Sequence, residues 1–130
     1  MKIYYADANI FLRFILQDNP EQGSKATDYF AQAKAGATKL VFLPEIIIEI
    51  EYIIRKVYGQ SRKVVVKYLS TLVKSPYIIM PNRSILFNAL NLYDKISVDL
   101  VDLVLYYTAQ EQNGEVLSFD EDFKKLQRLG

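Results

Sequence analysis

The run VLSFDEDF, Val116 to Phe123, begins as an apolar strand and ends in Asp120, Glu121 and Asp122. Other acids recur at spacings that bring carboxylates together. Asp99 and Asp102 are three apart and Glu45 and Glu49 four apart, so on helices each pair shares a face with β-carbons about 5–6 Å apart. Asp7 closes the apolar run at the N-terminus. Two like charges about 4 Å apart repel by roughly 4 kcal/mol at an effective dielectric near 20, so a site gathering these groups must hold protons or cations. The chain contains no His and no Cys. That removes the usual general base near neutral pH, thiolate nucleophiles and the common zinc ligands. With oxygen ligands alone, the fitting cations are Mg²⁺ or Mn²⁺. Such ions bridge to substrate phosphate and activate water while neutralising charge in an in-line displacement. The chemistry within reach is phosphodiester hydrolysis without histidine.

Each acid also has a plainer reading. Asp7 and Asp120 precede helices and serve equally as N-caps, favourable by about 1 kcal/mol apiece. Asp99 and Asp102 suit a capping box. Glu45 falls in a first turn, and Glu51 and Asp122 read as solvated. Glu49, among Ile46, Ile50 and Ile53, is expected to border a buried face. Asn9 is a candidate to orient a carboxylate or a bound water, or to bond local backbone. Ser118 alternates with Leu117 and Phe119, so its hydroxyl faces the crevice or satisfies a backbone group. Positive charge for phosphate is available at Arg13, at Lys124, Lys125 and Arg128, or at Arg55, Lys56, Arg62 and Lys63; most such runs are solvated faces.

The elements that must position these residues alternate along the chain. Strands are expected at Lys2–Ala6, Leu40–Leu43, Tyr77–Met80 and Glu115–Phe119. Helices are expected from Ala8 to about Leu16, Glu21 to about Lys34, Glu45 to Val57, Ser61 to about Val73, Arg83 to about Tyr93 and Asp99 to Gln112, with a short last helix. Near-continuous apolar strands with helical crossovers indicate an α/β fold with a mainly parallel sheet covered on both faces. Ligands in such sheets lie beyond the carboxyl ends of the strands, where strand order reverses. An order 3-2-1-4 would bring Asp7 and Asp120 into one crevice. At 130 residues and 51% hydrophobic content the chain fits a single domain, 1–130. A net charge of +1 does not advertise nucleic-acid binding. No leader or bilayer-spanning run is apparent, and a cytoplasmic setting is expected.

Several stretches together resemble PIN-domain ribonucleases. YYADANIFLRFIL resembles the opening of that family, a strand ending in Asp with Asn or Ser two residues later. LPEIIIEIEYII resembles the second motif, a proline before a helical glutamate followed by an aromatic, and Glu49 matches that acid better than Glu45. VDLVDLVLYYTAQEQNGEVLSFDEDF resembles the third and fourth motifs, with Asp102 and Asp120 as the acids and Ser118 as the hydroxyl residue. Asp99 and Asp122 occupy auxiliary acidic positions. The resemblance covers nearly the whole chain and implies a three-layer α/β/α fold. It also implies a catalytic and metal-holding set of Asp7, Glu49, Asp102 and Asp120, with Mg²⁺ or Mn²⁺ as cofactor. The size looks most like the VapC-type toxins of toxin-antitoxin pairs, which implies an endoribonuclease that leaves 5′-phosphate and 3′-hydroxyl ends. It further implies a homodimer held inactive by a small antitoxin. The family's fifth strand usually follows the last helix, whereas this sequence stops at LQRLG, so either a fifth edge strand is absent or the sequence is cut short before it. Rival readings are a PIN-like module that only binds a protein partner, and a PIN nuclease of RNA maturation. A receiver-type phosphoacceptor fits poorly, because the third strand ends at Met80-Pro81 with no acceptor Asp.

Overall fold

The computed structural model describes residues 1–129. The chain runs β1 (Lys2–Tyr5), α1 (Ala8–Leu16), α2 (Pro20–Lys34), β2 (Thr38–Val41), α3 (Pro44–Tyr52), a π-helical turn (Ile53–Val57), α4 (Arg62–Val73), β3 (Ile78–Ile79), α5 (Arg83–Tyr93), α6 (Leu100–Glu111) and α7 (Asp122–Leu129). The α/β class is as expected, and the helices begin where the sequence supplies caps. Asp7, Asn19 and Ser61 each accept a hydrogen bond from the backbone N–H three residues on, satisfying a donor the helix leaves free. Pro20 and Pro44 occupy first turns, where a missing N–H costs nothing. Gly59 has φ +64°, a left-handed conformation that resets the chain between the π-helical turn and α4.

Three parallel strands form the sheet in the order β1-β2-β3. Tyr4 pairs with Leu40, and Leu40 with Ile78. The expected fourth strand does not form: Glu115–Phe119 is irregular. Leu117 and Phe119 are fully exposed, and so are half or more of Ile3 and Tyr5 on β1. A strand exists only through a pairing partner, and β1 here keeps a free edge, so the 3-2-1 part of the expected order is present without its fourth member. The fifth edge strand would follow α7, outside the described residues.

A contiguous core links α1, α2, α3, α4, α5 and α6 to the sheet. Its aromatic centre includes Phe14 stacked on Phe30 at 4.1 Å and Phe30 against Phe42 at 5.9 Å. α3 packs on α6, and α5 on both α4 and α6. The contact of α3 with α6 brings Glu51 and Asp99 to the walls of one cleft. No helix of the described residues is long and apolar enough to cross a membrane.

Candidate metal centre and adjoining cleft

Asp102 lies in the first turn of α6, where its half-buried position costs its charge solvation. Burial is the main cause that pushes its carboxyl above the usual range, and the charges of Asp99, Asp120 and Asp122 push the same way. One carboxylate oxygen from each of Asp102, Asp120 and Asp122 lies within 4.8 Å of the others. This group draws its members from the start of α6 and the entry to α7. The entry is shaped by two short bonds: Asp120 N–H donates to Ser118 Oγ, and Asp122 N–H donates to Asp120 Oδ1, both at 2.9 Å. Ser118 therefore serves the local backbone. Lys125 Nζ stands 3.2 Å from Asp122, so one of the three charges already has a partial counter-ion. Three converging carboxylates, one of them resisting ionisation, are a donor set that fits a hard divalent cation.

The other sequence-derived candidates lie outside this three-aspartate group. Asp7 is exposed at the end of β1 and caps α1 through Ile10 N–H at 3.3 Å. Asn9 is exposed on α1. Asp7 and Glu49 are not members of the three-aspartate group. Asp99 occupies the N-cap position of α6 without a side-chain capping bond, so the expected capping box with Asp102 is absent. Arg13 donates to Asp18 at 2.5 Å and to Tyr58 Oη at 3.0 Å, and Lys124 pairs with Glu121 at 3.1 Å. Both cations thus have protein partners.

Two sequence expectations on α3 are reversed. Glu49 is exposed and Glu51 is buried. The apolar stripe of this helix runs Ile47, Ile50, Ile54, and position 51 falls on the same stripe by the i, i+4 spacing. Glu51 is held there by Arg55 Nε at 2.6 Å and by the Tyr93 hydroxyl at 2.7 Å. Burial, followed by the bond to Glu51, pushes the Tyr93 phenol well above its usual value. Arg62 lies 3.5 Å from the centre of the Tyr93 ring. It donates to the carbonyls of Tyr93, Ile96 and Val98, and so fixes the approach to α6 and its aspartates. Nothing in residue type marks Arg62 for this role among its basic neighbours.

A cleft of about 360 Å³ opens between α3 and the start of α6, walled by Glu51, Tyr52, Arg55, Lys56, Asp99 and Val101. Asp99 acts on both sides: its charge is felt at Asp102 and at Arg55. A second cavity of about 380 Å³, between α6 and α7 against Tyr106, Val116 and Phe123, contains none of the clustered aspartates.

Searches of curated proteins and of solved structures found no significant match. The family model described as PIN domain matches residues 4–129. PIN domains are generally metal-dependent nucleases, and the aspartates at the entries to α6 and α7 fit such chemistry. With nearly its full length matched and its acids so placed, this chain belongs to the PIN domain family.

Proposed function

We propose that the chain is a divalent-metal-dependent endoribonuclease that hydrolyses RNA phosphodiester bonds in the cytoplasm as the toxin of a toxin-antitoxin pair. The observation that carries the reading is the convergence of Asp102, Asp120 and Asp122 in a chain with neither His nor Cys. Asp102 and Asp120, with Asp7 and Glu49 as the further members of the family set, hold Mg²⁺ or Mn²⁺. Asp99 and Asp122 shape the field around them, Ser118 supports the backbone at the entry to α7, and Asn9 orients a carboxylate or a bound water. When bound, the metal supplies charge neutralisation at the phosphate and a water more readily deprotonated than bulk water. Asp102, the carboxyl that resists ionisation most clearly, is the group through which proton and cation compete. The homodimer and the small antitoxin belong to the same proposal.

Calorimetric titration with Mg²⁺ and Mn²⁺, with RNA cleavage followed in the same samples, tests it. Wild type should bind and cleave, whereas Asp102→Asn and Asp120→Asn should lose both while remaining folded. Metal-dependent cleavage retained in both variants would refute the site. A non-catalytic PIN-like binding module is the second reading, and the local bonds of Asp7 to Ile10 and of Asp120 to Asp122 favour it. Absence of divalent binding in wild type would select it.

A further inference from the structure

We infer that the cleft beside Asp99 seats a nucleotide next to the scissile phosphate of single-stranded RNA, with Arg55 and Lys56 on its phosphate and Tyr52 under its base. The inference rests on the nuclease reading above and adds the substrate subsite. Arg55 is the anchor. Its Nε bonds Glu51, which Tyr93 holds from the other side. Its two terminal nitrogens make no hydrogen bond among the described residues, which leaves that edge of the planar guanidinium for a phosphate. The buried carboxylate also fixes the side chain before any ligand arrives, so less freedom is lost on binding.

Tyr52 exposes 55% of its surface and Val101 exposes 50%, and both belong to the wall of the cleft. An exposed aromatic among apolar neighbours, next to a fixed Arg and an exposed Lys that has no ion pair among the described residues, combines a stacking platform with phosphate contacts, the pairing that single-stranded nucleic acid requires. Asp99 forms the wall of the cleft and stands one helical turn before Asp102 at the start of α6, so a strand lying in the cleft presents a neighbouring phosphate to those aspartates. Arg62, in the same stretch of sequence, is excluded from this role by its bonds to three carbonyls. An acidic peptide would use the two cations but would have no need of the ring.

Fluorescence anisotropy with a labelled short oligoribonucleotide, measured on the full chain in EDTA, tests the subsite without turnover. Tyr52→Leu should weaken binding roughly tenfold. Lys56→Gln should weaken it severalfold and reduce the slope of log K against log salt by about 0.7, whereas Arg55→Lys, which keeps the charge and loses the bidentate fork, should weaken it severalfold with little change in that slope. Lys67→Gln, on α4, should change neither. Tyr52 and Lys56 are exposed and do not touch the Glu51 network, so these variants keep the fold. In cleavage assays Tyr52→Leu should raise KM more than it lowers kcat. Wild-type affinity in both Tyr52→Leu and Lys56→Gln would overturn the subsite even if the enzyme cleaves RNA. Displacement of the oligoribonucleotide by polyglutamate, with no effect of Tyr52→Leu, would overturn it in favour of an acidic protein partner. Failure of the nuclease reading looks different: no metal supports cleavage, while the binding losses in the cleft variants persist.

Discussion

Asp102 is the residue at which protonation and stability meet and, in the proposed site, the metal as well. Its carboxyl is pushed up first by burial and then by Asp99, Asp120 and Asp122, so the folded chain takes up this proton more readily than the unfolded chain does. Below the ordinary carboxylate range both states are protonated and the folded state suffers no penalty. The penalty grows as pH rises through the window up to the raised value and is fully present at neutral pH. Asp102→Asn should therefore stabilise the metal-free protein at pH 7, by on the order of 1 kcal/mol, with the gain vanishing in strong acid. Urea unfolding across that range checks the sign. Divalent affinity of the wild type should fall as pH drops through the same window, because the proton occupies an oxygen the cation needs. Glu51 obeys a different balance. Its charge is buried but bonded twice, and Glu51→Ala would strand Arg55 and the Tyr93 hydroxyl. A loss of about 3–5 kcal/mol is expected in chemical denaturation, with a smaller loss for Glu51→Gln.

At the scale of elements, the aspartates depend on how α6 is approached. Arg62 reaches from α4 to the carbonyls of Tyr93, Ile96 and Val98, a charged clamp that ties the end of α5 to the segment leading into Asp99. Arg62→Met should cost about 3 kcal/mol and weaken divalent binding along with stability, although Arg62 touches none of the acids. Calorimetry beside urea unfolding would detect both effects. The helix boundaries were legible in the chain because caps are local: Asp7, Asn19 and Ser61 act within three residues of themselves. Glu51 was legible in principle, since 47, 50, 51 and 54 make a helical stripe, but a carboxylate on that stripe reads as an interruption until Arg55 and Tyr93 are known to meet it. Tyr93 is 42 residues away, and no local pattern announces it. The segment Glu115–Phe119 shows the opposite failure. Its apolar run is strand-like, yet pairing is a long-range property and β1 does not supply it here. The grouping of Asp120 with Asp102 and Asp122 likewise follows from the packing of α7 on α6, a relation that spacing alone does not fix.

For the molecule as a whole, the free edge of β1 and the exposed Leu117 and Phe119 are the most apolar unpartnered features among the described residues. Unpaired backbone flanked by apolar side chains is a template for pairing with another chain. Sedimentation over a range of protein concentrations should show association, and Tyr5→Lys, which places a charge on that edge, should reduce it. A monomer at every concentration would show that the edge is protected in another way. The aspartate group has a consequence for biosynthesis as well. Its three members lie at the start of α6 and the entry to α7, whereas the sheet and the first five helices precede them. Because domains fold as the chain emerges, N-terminal parts first, the scaffold takes shape on the ribosome before the three aspartates can meet, and any product ended before Asp120 would be a scaffold without the complete group.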